Sequence, residues 1–237
     1  MRGQWHWHQD TYLTCELLAP WEHQFGGRTG MPEFFAKTHY RLRQIHSGVV
    51  LPTSEIHPDT SGDGLISTAT NQTLWVCSAD CVPVLIGCVH TGTVAALHAG
   101  WRGTAANIIP TAVAKLLQQG SMLTSLRIAL GPAIRGKNYQ VQNDVVHALA
   151  ATVCNSAQLT IDDVMTQWQS KPELLQPDGD RWRVDLRQVQ VQQLLQLGIT
   201  SDQIAVSPHC TYDDPKHFFS YRREGKTSVQ WSGITSR

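Results

Sequence analysis

Between Leu74 and Ala99 the chain runs LWVCSA, VPVLIG and TVAALHA, three apolar stretches separated by only a few residues. Each is short and β-rich, so the pattern predicts three buried strands. Parallel neighbours need a crossover of roughly a dozen residues or more. None fits here, so neighbouring strands are predicted to pair antiparallel, and a purely parallel sheet is excluded.

Around this block, strands and helices are interspersed. PTSEIHPDTSGDGLISTATN, from Pro52 to Asn71, is rich in turn formers and reads as a surface loop around a short GLIST strand. AANIIPTAVAKLLQQG has helical periodicity and ends at Gly120, with Pro110 marking a kink or a break. LRIALGPAI reads as a strand entering a turn. NDVVHALAATV reads as a helix capped by Asn143, and VDLRQVQVQQLLQLG as a helix from Asp185 to Gly198. QIAVSP and HFFSYRRE are read as closing strands. The expected fold is α+β, a layered sandwich with a mixed β-sheet covered by helices. QSKPELLQPDGDRW is too short and too late for a linker, so residues 1–237 are read as a single domain.

Composition excludes several classes of function. Nineteen basic residues balance 19 acidic ones, which leaves no electrostatic footprint for nucleic acid or an anionic membrane. The N-terminal MRGQWHWHQD has no apolar signal region, and no apolar run approaches the roughly 20 residues of a membrane span. A cytoplasmic monomer is expected. Six scattered cysteines without a CxxC point to free thiols. The HxH pair His6 and His8 is read as a solvated tail.

Chemistry concentrates where the predicted strands end. Cys81 follows Asp80 at one strand–turn junction, and His98 precedes AGWRG at another. A thiol beside an imidazole can form a nucleophilic couple. The same two groups can bind zinc, which accepts both donors. A catalytic zinc needs a third ligand, and His46 in RQIHSGV is a candidate. The spacing fits no local zinc motif, so both readings stay open on these residues alone.

The motifs HSGVV, DGLIST, SADCVPVLI, HAGWRGT, GPAIRGKNYQV and SPHCT…FFSYRREG follow one another in the order of a bacterial family. The chain resembles the laccase-domain, or multicopper polyphenol oxidase, proteins, which are regarded as purine nucleoside phosphorylases with adenosine deaminase activity. The likeness runs from about His23 to Ile234. It implies a layered α/β sandwich and zinc held by His46, Cys81 and His98. It also implies purine nucleoside substrates (adenosine, inosine, guanosine and methylthioadenosine) together with inorganic phosphate. Asp80 is then the candidate proton shuttle, and Arg28 and Arg102 are the candidate phosphate partners, because guanidinium forks suit phosphate oxygens. Cys210 occupies a family position and is read as packing. Two family features are replaced here: MPEFFAKTHYRLRQIH lacks a Leu-Asn-Leu-Gly element, and KTSVQW stands where Thr-Gly-Arg is usual.

Four rivals remain. A Cys–His hydrolase would use Cys81 as nucleophile and His98 as base. An amide hydrolase editing cell-wall precursors is a second. A copper oxidase needs many clustered histidines, whereas this chain has 11 in all and one HxH. A non-catalytic ligand-binding protein is the fourth.

Overall fold

In the computed structural model the three apolar runs are strands, but they do not share one sheet. The structure describes residues 4–29, 38–154, 159–225 and 228–237. Strands β1 (Trp5–His8), β2 (Tyr12–Cys15), β3 (His23–Gly26), β4 (Thr38–Tyr40), β5 (Val50–Pro52), β6 (Gly64–Ile66), β7 (Gln72–Ser78), β8 (Val82–Cys88) and β9 (Val94–Ala99) come first. Helices α1 (Trp101–Ala105) and α2 (Ile108–Gln118) follow, then β10 (Leu126–Leu130) and β11 (Gln140–Val141). After them come α3 (Asn143–Ala151), α4 (Ile161–Gln169), β12 (Leu175–Asp178), β13 (Arg181–Val184) and α5 (Leu186–Gln196). Strand β14 (Ile204–Val206), the short helix α6 (Tyr221–Glu224) and β15 (Gln230–Thr235) close the chain.

One sheet has the order β1-β2-β3-β15-β7-β4 and a second the order β14-β10-β8-β9-β6-β5, with β11-β13-β12 forming a smaller third. The antiparallel prediction holds for β8 with β9, in register from Val82↔Ala99 to Gly87↔Val94. It fails for β7 with β8. Strand β7 pairs with β15 and β4, and the chain crosses to the other sheet through residues 79–81. A three-residue connection can as readily change layers as close a hairpin, and the apolar pattern is identical in either case.

Alternation along the second sheet explains why its runs are continuously apolar. Val82, Val84 and Ile86 face the helices, packing in one cluster with Ile109, Val113, Val189 and Leu194. Leu85, Val94, Ala96 and Ala129 face the other way, against Phe25, Leu74, Val76 and Ile234 of the first sheet. This sheet is therefore buried on both faces. The architecture is a mixed α/β sandwich: helices, middle sheet, outer sheet.

The helical stretch before Gly120 is broken at Asn107, which adopts φ 57° between α1 and α2, so Pro110 falls in the first turn of α2. Asp185 caps α5 through Arg187 N–H, and Gly198 at φ 87° follows its end. Helix α3 instead takes Gln142 as its cap without a side-chain bond, while Asn143 binds His147 and Trp182. HFFSYRRE is no strand. Its Ser220 caps α6 by accepting Arg223 N–H, which turns the chain. His6 and His8 lie in β1, paired with β2, rather than in a tail. All six cysteines are free thiols. No helix among the described residues is long and apolar enough to cross a membrane.

Candidate metal centre

The centre lies at the ends of the middle sheet, where Cys81 immediately precedes β8 and His98 is the penultimate residue of β9. Pro83 and His98 are register partners, so the β8–β9 pairing itself brings the thiol and the imidazole together. His46 arrives on the loop before β5 in a left-handed conformation (φ 58°). The candidate donor atoms of His46, Cys81 and His98 lie within 4.8 Å of one another, and the two imidazole rings meet edge-to-face at 4.8 Å. Among the described residues this is the one such cluster of His, Cys, Asp and Glu side chains.

Two devices hold the triangle. The first is Asp63, 1% exposed, just before β6. One carboxylate oxygen accepts His98 Nδ1 at 2.8 Å and the main-chain N–H of His46 at 3.0 Å. The other accepts Ser47 N–H at 2.6 Å, Ser47 Oγ at 2.7 Å and Ile45 N–H at 3.3 Å. The same carboxylate thus leaves His98 Nε2 for the centre and shapes the loop that presents His46. The second device is Gly100: a Cβ there would sit 2.7 Å from Cys81 Sγ, so only glycine admits the sulfur. Sequence reading missed Asp63, although it lies inside the DGLIST motif.

Electrostatics make the thiol acidic. Burial disfavours the Cys81 thiolate, but hydrogen bonds with His46 and His98 outweigh it and bring the thiol down to about 7. Burial likewise opposes a charged His98, yet Asp63 and Cys81 hold its proton to about 9. Asp63 is kept ionised, down to about 2, because its bonds to His98 and Ser47 overcome its own burial. A thiolate and two imidazoles are the donor set of a catalytic zinc site with one position open, and Asp63 supplies the outer anchor such sites use. The residues present fit that ion.

The centre opens into a cleft of about 650 Å³ whose walls include Trp101, Arg102, Tyr139, Tyr221 and Arg222. Arg102 lines it with its guanidinium 4.5 Å from the Trp101 ring. Arg28 is not among the lining residues; it pairs with Glu224 and lies 4.5 Å over Phe219. Asp80 does line the cleft, at φ 88°, but its carboxylate accepts Thr211 Oγ1 at 2.6 Å, Ser220 Oγ at 3.0 Å and Arg222 N–H at 2.7 Å. Three bonds of this kind suit an anchor better than a proton shuttle. Cys210 is buried and accepts Arg135 N–H at 3.4 Å. The replaced Leu-Asn-Leu-Gly element falls partly on residues 30–37, outside those described.

The family described as "Multi-copper polyphenol oxidoreductase laccase" matches residues 29–237. A purine nucleoside phosphorylase of Synechocystis sp. is 41% identical over 98% of this chain and 97% of its own length. Adenosine deaminase RL5, from an unknown prokaryotic organism, is 30% identical over 70% of this chain and 58% of its own. The crystal structure of YlmD from Geobacillus stearothermophilus superposes with a TM-score of 0.83 over 100% of both chains at 22% identity, which shows the fold. With the family's sequence pattern covering residues 29–237, the Cys–His–His corner included, the chain belongs to the multi-copper polyphenol oxidoreductase laccase family.

Proposed function

We propose that the chain, an enzyme of this family, is a zinc-dependent purine nucleoside phosphorylase that also deaminates adenosine. Its substrates are adenosine, inosine, guanosine and methylthioadenosine, with inorganic phosphate as co-substrate. The observation that carries this reading is the His46–Cys81–His98 triangle opening into a nucleoside-sized cleft, in a chain 41% identical to a purine nucleoside phosphorylase.

Zinc held by those three residues would supply a Lewis acid and bring the pKa of water at its open position toward neutrality. The remaining work falls to the chain. Asp63 fixes His98 and the His46 loop so that three donors converge without rearrangement. Trp101 offers an aromatic flank for a purine. Tyr139 has its phenol pushed upward by burial and by the neighbouring Cys81 thiolate, so it stays protonated and is available as a hydrogen-bond donor at the cleft wall. Arg102 meets phosphate. In phosphorolysis a phosphate oxygen bonds ribose C1′ as the C1′–N9 bond breaks, and the purine leaves with the electron pair and takes up a proton.

Copper would also accept a thiolate and two imidazoles, so metal analysis of the purified protein comes first. Zinc at about one per chain, with phosphate-dependent release of hypoxanthine from inosine, supports the proposal. Release unchanged without phosphate, or a copper-only protein, overturns it. The acidic Cys81 thiol favours one second reading, a thiol hydrolase. That reading requires turnover by metal-free protein through a covalent adduct on Cys81.

A further inference from the structure

The segment after β14 returns to the cleft and is tied there by one side chain. Asp80 sits in the turn that carries the chain from the outer to the middle sheet, and its main-chain oxygen accepts Ile134 N–H at 3.1 Å. Its carboxylate reaches about 140 residues along the sequence to grip Thr211, Ser220 and the amide of Arg222. These bonds set where α6 begins. They place Arg222 with its guanidinium 5.2 Å from the Tyr139 ring and one bond to Gln140 O at 3.1 Å.

Arg102, carried on α1 with its guanidinium 4.5 Å from the Trp101 ring, lines the same cleft as Tyr139 and Arg222. Arg28, Arg187 and Arg223 are each matched to a carboxylate. Arg102 and Arg222 have no carboxylate partner among the described residues, and both line the cleft beside the metal centre. Two unmatched guanidiniums at a concave wall are the donor arrangement a tetrahedral oxyanion requires. Asp80 keeps its negative charge, but its oxygens are turned to Thr211, Ser220 and the Arg222 amide, and it is ion-paired with neither guanidinium.

We propose that Arg102 and Arg222 form an oxyanion subsite for inorganic phosphate, and that Asp80 is the positioning residue that holds Arg222 in it. The phosphate's role as attacking group rests on the function proposed above; the subsite itself does not.

The test uses the full-length, metal-loaded protein and two readouts. Isothermal titration with inorganic phosphate measures binding without turnover, and inosine phosphorolysis separates the two KM values. Arg222→Gln and Arg102→Gln should each weaken phosphate binding by about tenfold or more, the scale of one lost charge-assisted bond. The inosine KM should stay within about twofold. Arg222→Lys should recover part of the loss, because it keeps the charge and loses the fork. Asp80→Asn, which keeps the side-chain shape but lacks one acceptor, should reproduce the phosphate defect and add nothing to Arg222→Gln in the double variant. Wild-type phosphate affinity in both arginine variants overturns the subsite, as does a wild-type protein that binds no phosphate. An Asp80→Asn enzyme with normal phosphate affinity but a lost limb of the pH–rate profile overturns the positioning role. If phosphate binds in an arginine-dependent way while no nucleoside is cleaved, the subsite stands and the phosphorylase reading falls.

Discussion

Asp63→Asn should weaken metal binding without touching a ligand. The amide replaces one acceptor oxygen with an NH2 donor, and it can settle in two ways. With the NH2 toward Ser47, the main-chain N–H groups of Ser47 (2.6 Å) and Ile45 (3.3 Å) lose their acceptor. With the NH2 toward His98, only the His46 N–H (3.0 Å) is orphaned, while His98 Nδ1 (2.8 Å) changes from donor to acceptor. The second arrangement leaves fewer buried donors unmatched and therefore wins. It moves the imidazole proton onto Nε2, the nitrogen that must face the metal. Loss of an outer anchor of this type costs roughly 10–100-fold in metal affinity, about 1.4–2.8 kcal/mol. One buried unsatisfied donor adds about 1–3 kcal/mol of instability. Zinc affinity by chelator competition, thermal unfolding of the metal-free protein, and the His98 tautomer read from imidazole nitrogen shifts check the three parts. Metal affinity within about twofold of wild type, with the tautomer unchanged, would refute the reasoning.

Other expectations follow from the same contacts. Gly100→Ala forces its new methyl group to within 2.7 Å of Cys81 Sγ, so zinc affinity should fall while overpacking costs about 1–3 kcal/mol; unchanged affinity and Tm would contradict it. In metal-free protein near neutral pH, alkylation should find Cys81, whose thiol is brought down to about 7, ahead of Cys15, which burial pushes up to about 11. Zinc should suppress that labelling, as peptide mass spectrometry would show, whereas fast labelling of metal-loaded protein would favour the thiol hydrolase. Asp185→Ala removes both the cap of α5 and the carboxylate facing the buried Arg187 guanidinium at 3.1 Å. Its cost should be about 3–5 kcal/mol by denaturant unfolding, and a change under about 1 kcal/mol would show that the bonds from Arg187 to Ser207 O and His209 O suffice.

Local chemistry was legible from residues alone. The continuous apolar runs marked a sheet buried on both faces, the Gly120 and Gly198 stops fell at positive φ, and Asp185 read as a helix start. Thiol and imidazole groups at predicted strand ends marked Cys81, His98 and His46 as candidates, but those residues alone left the zinc and nucleophile readings open, and the ligand set came from the family resemblance. What stayed hidden depends on which residues meet across long separations. Nothing in the Ser78–Cys81 turn distinguishes a hairpin from a crossing between sheets, because period-two alternation is blind to the partner strand. Asp63 looks like any loop aspartate until β6 pairs with β9 and sets it against His98, 35 residues away. Asp80 drew notice in sequence because it neighbours a candidate ligand, and only the fold shows that Ser220, 140 residues away, meets its carboxylate. Arg28 and Arg222 are the same side chain in sequence. The tertiary structure gives one a glutamate and leaves the other facing the cleft, because only packing decides which carboxylate comes within reach of which guanidinium.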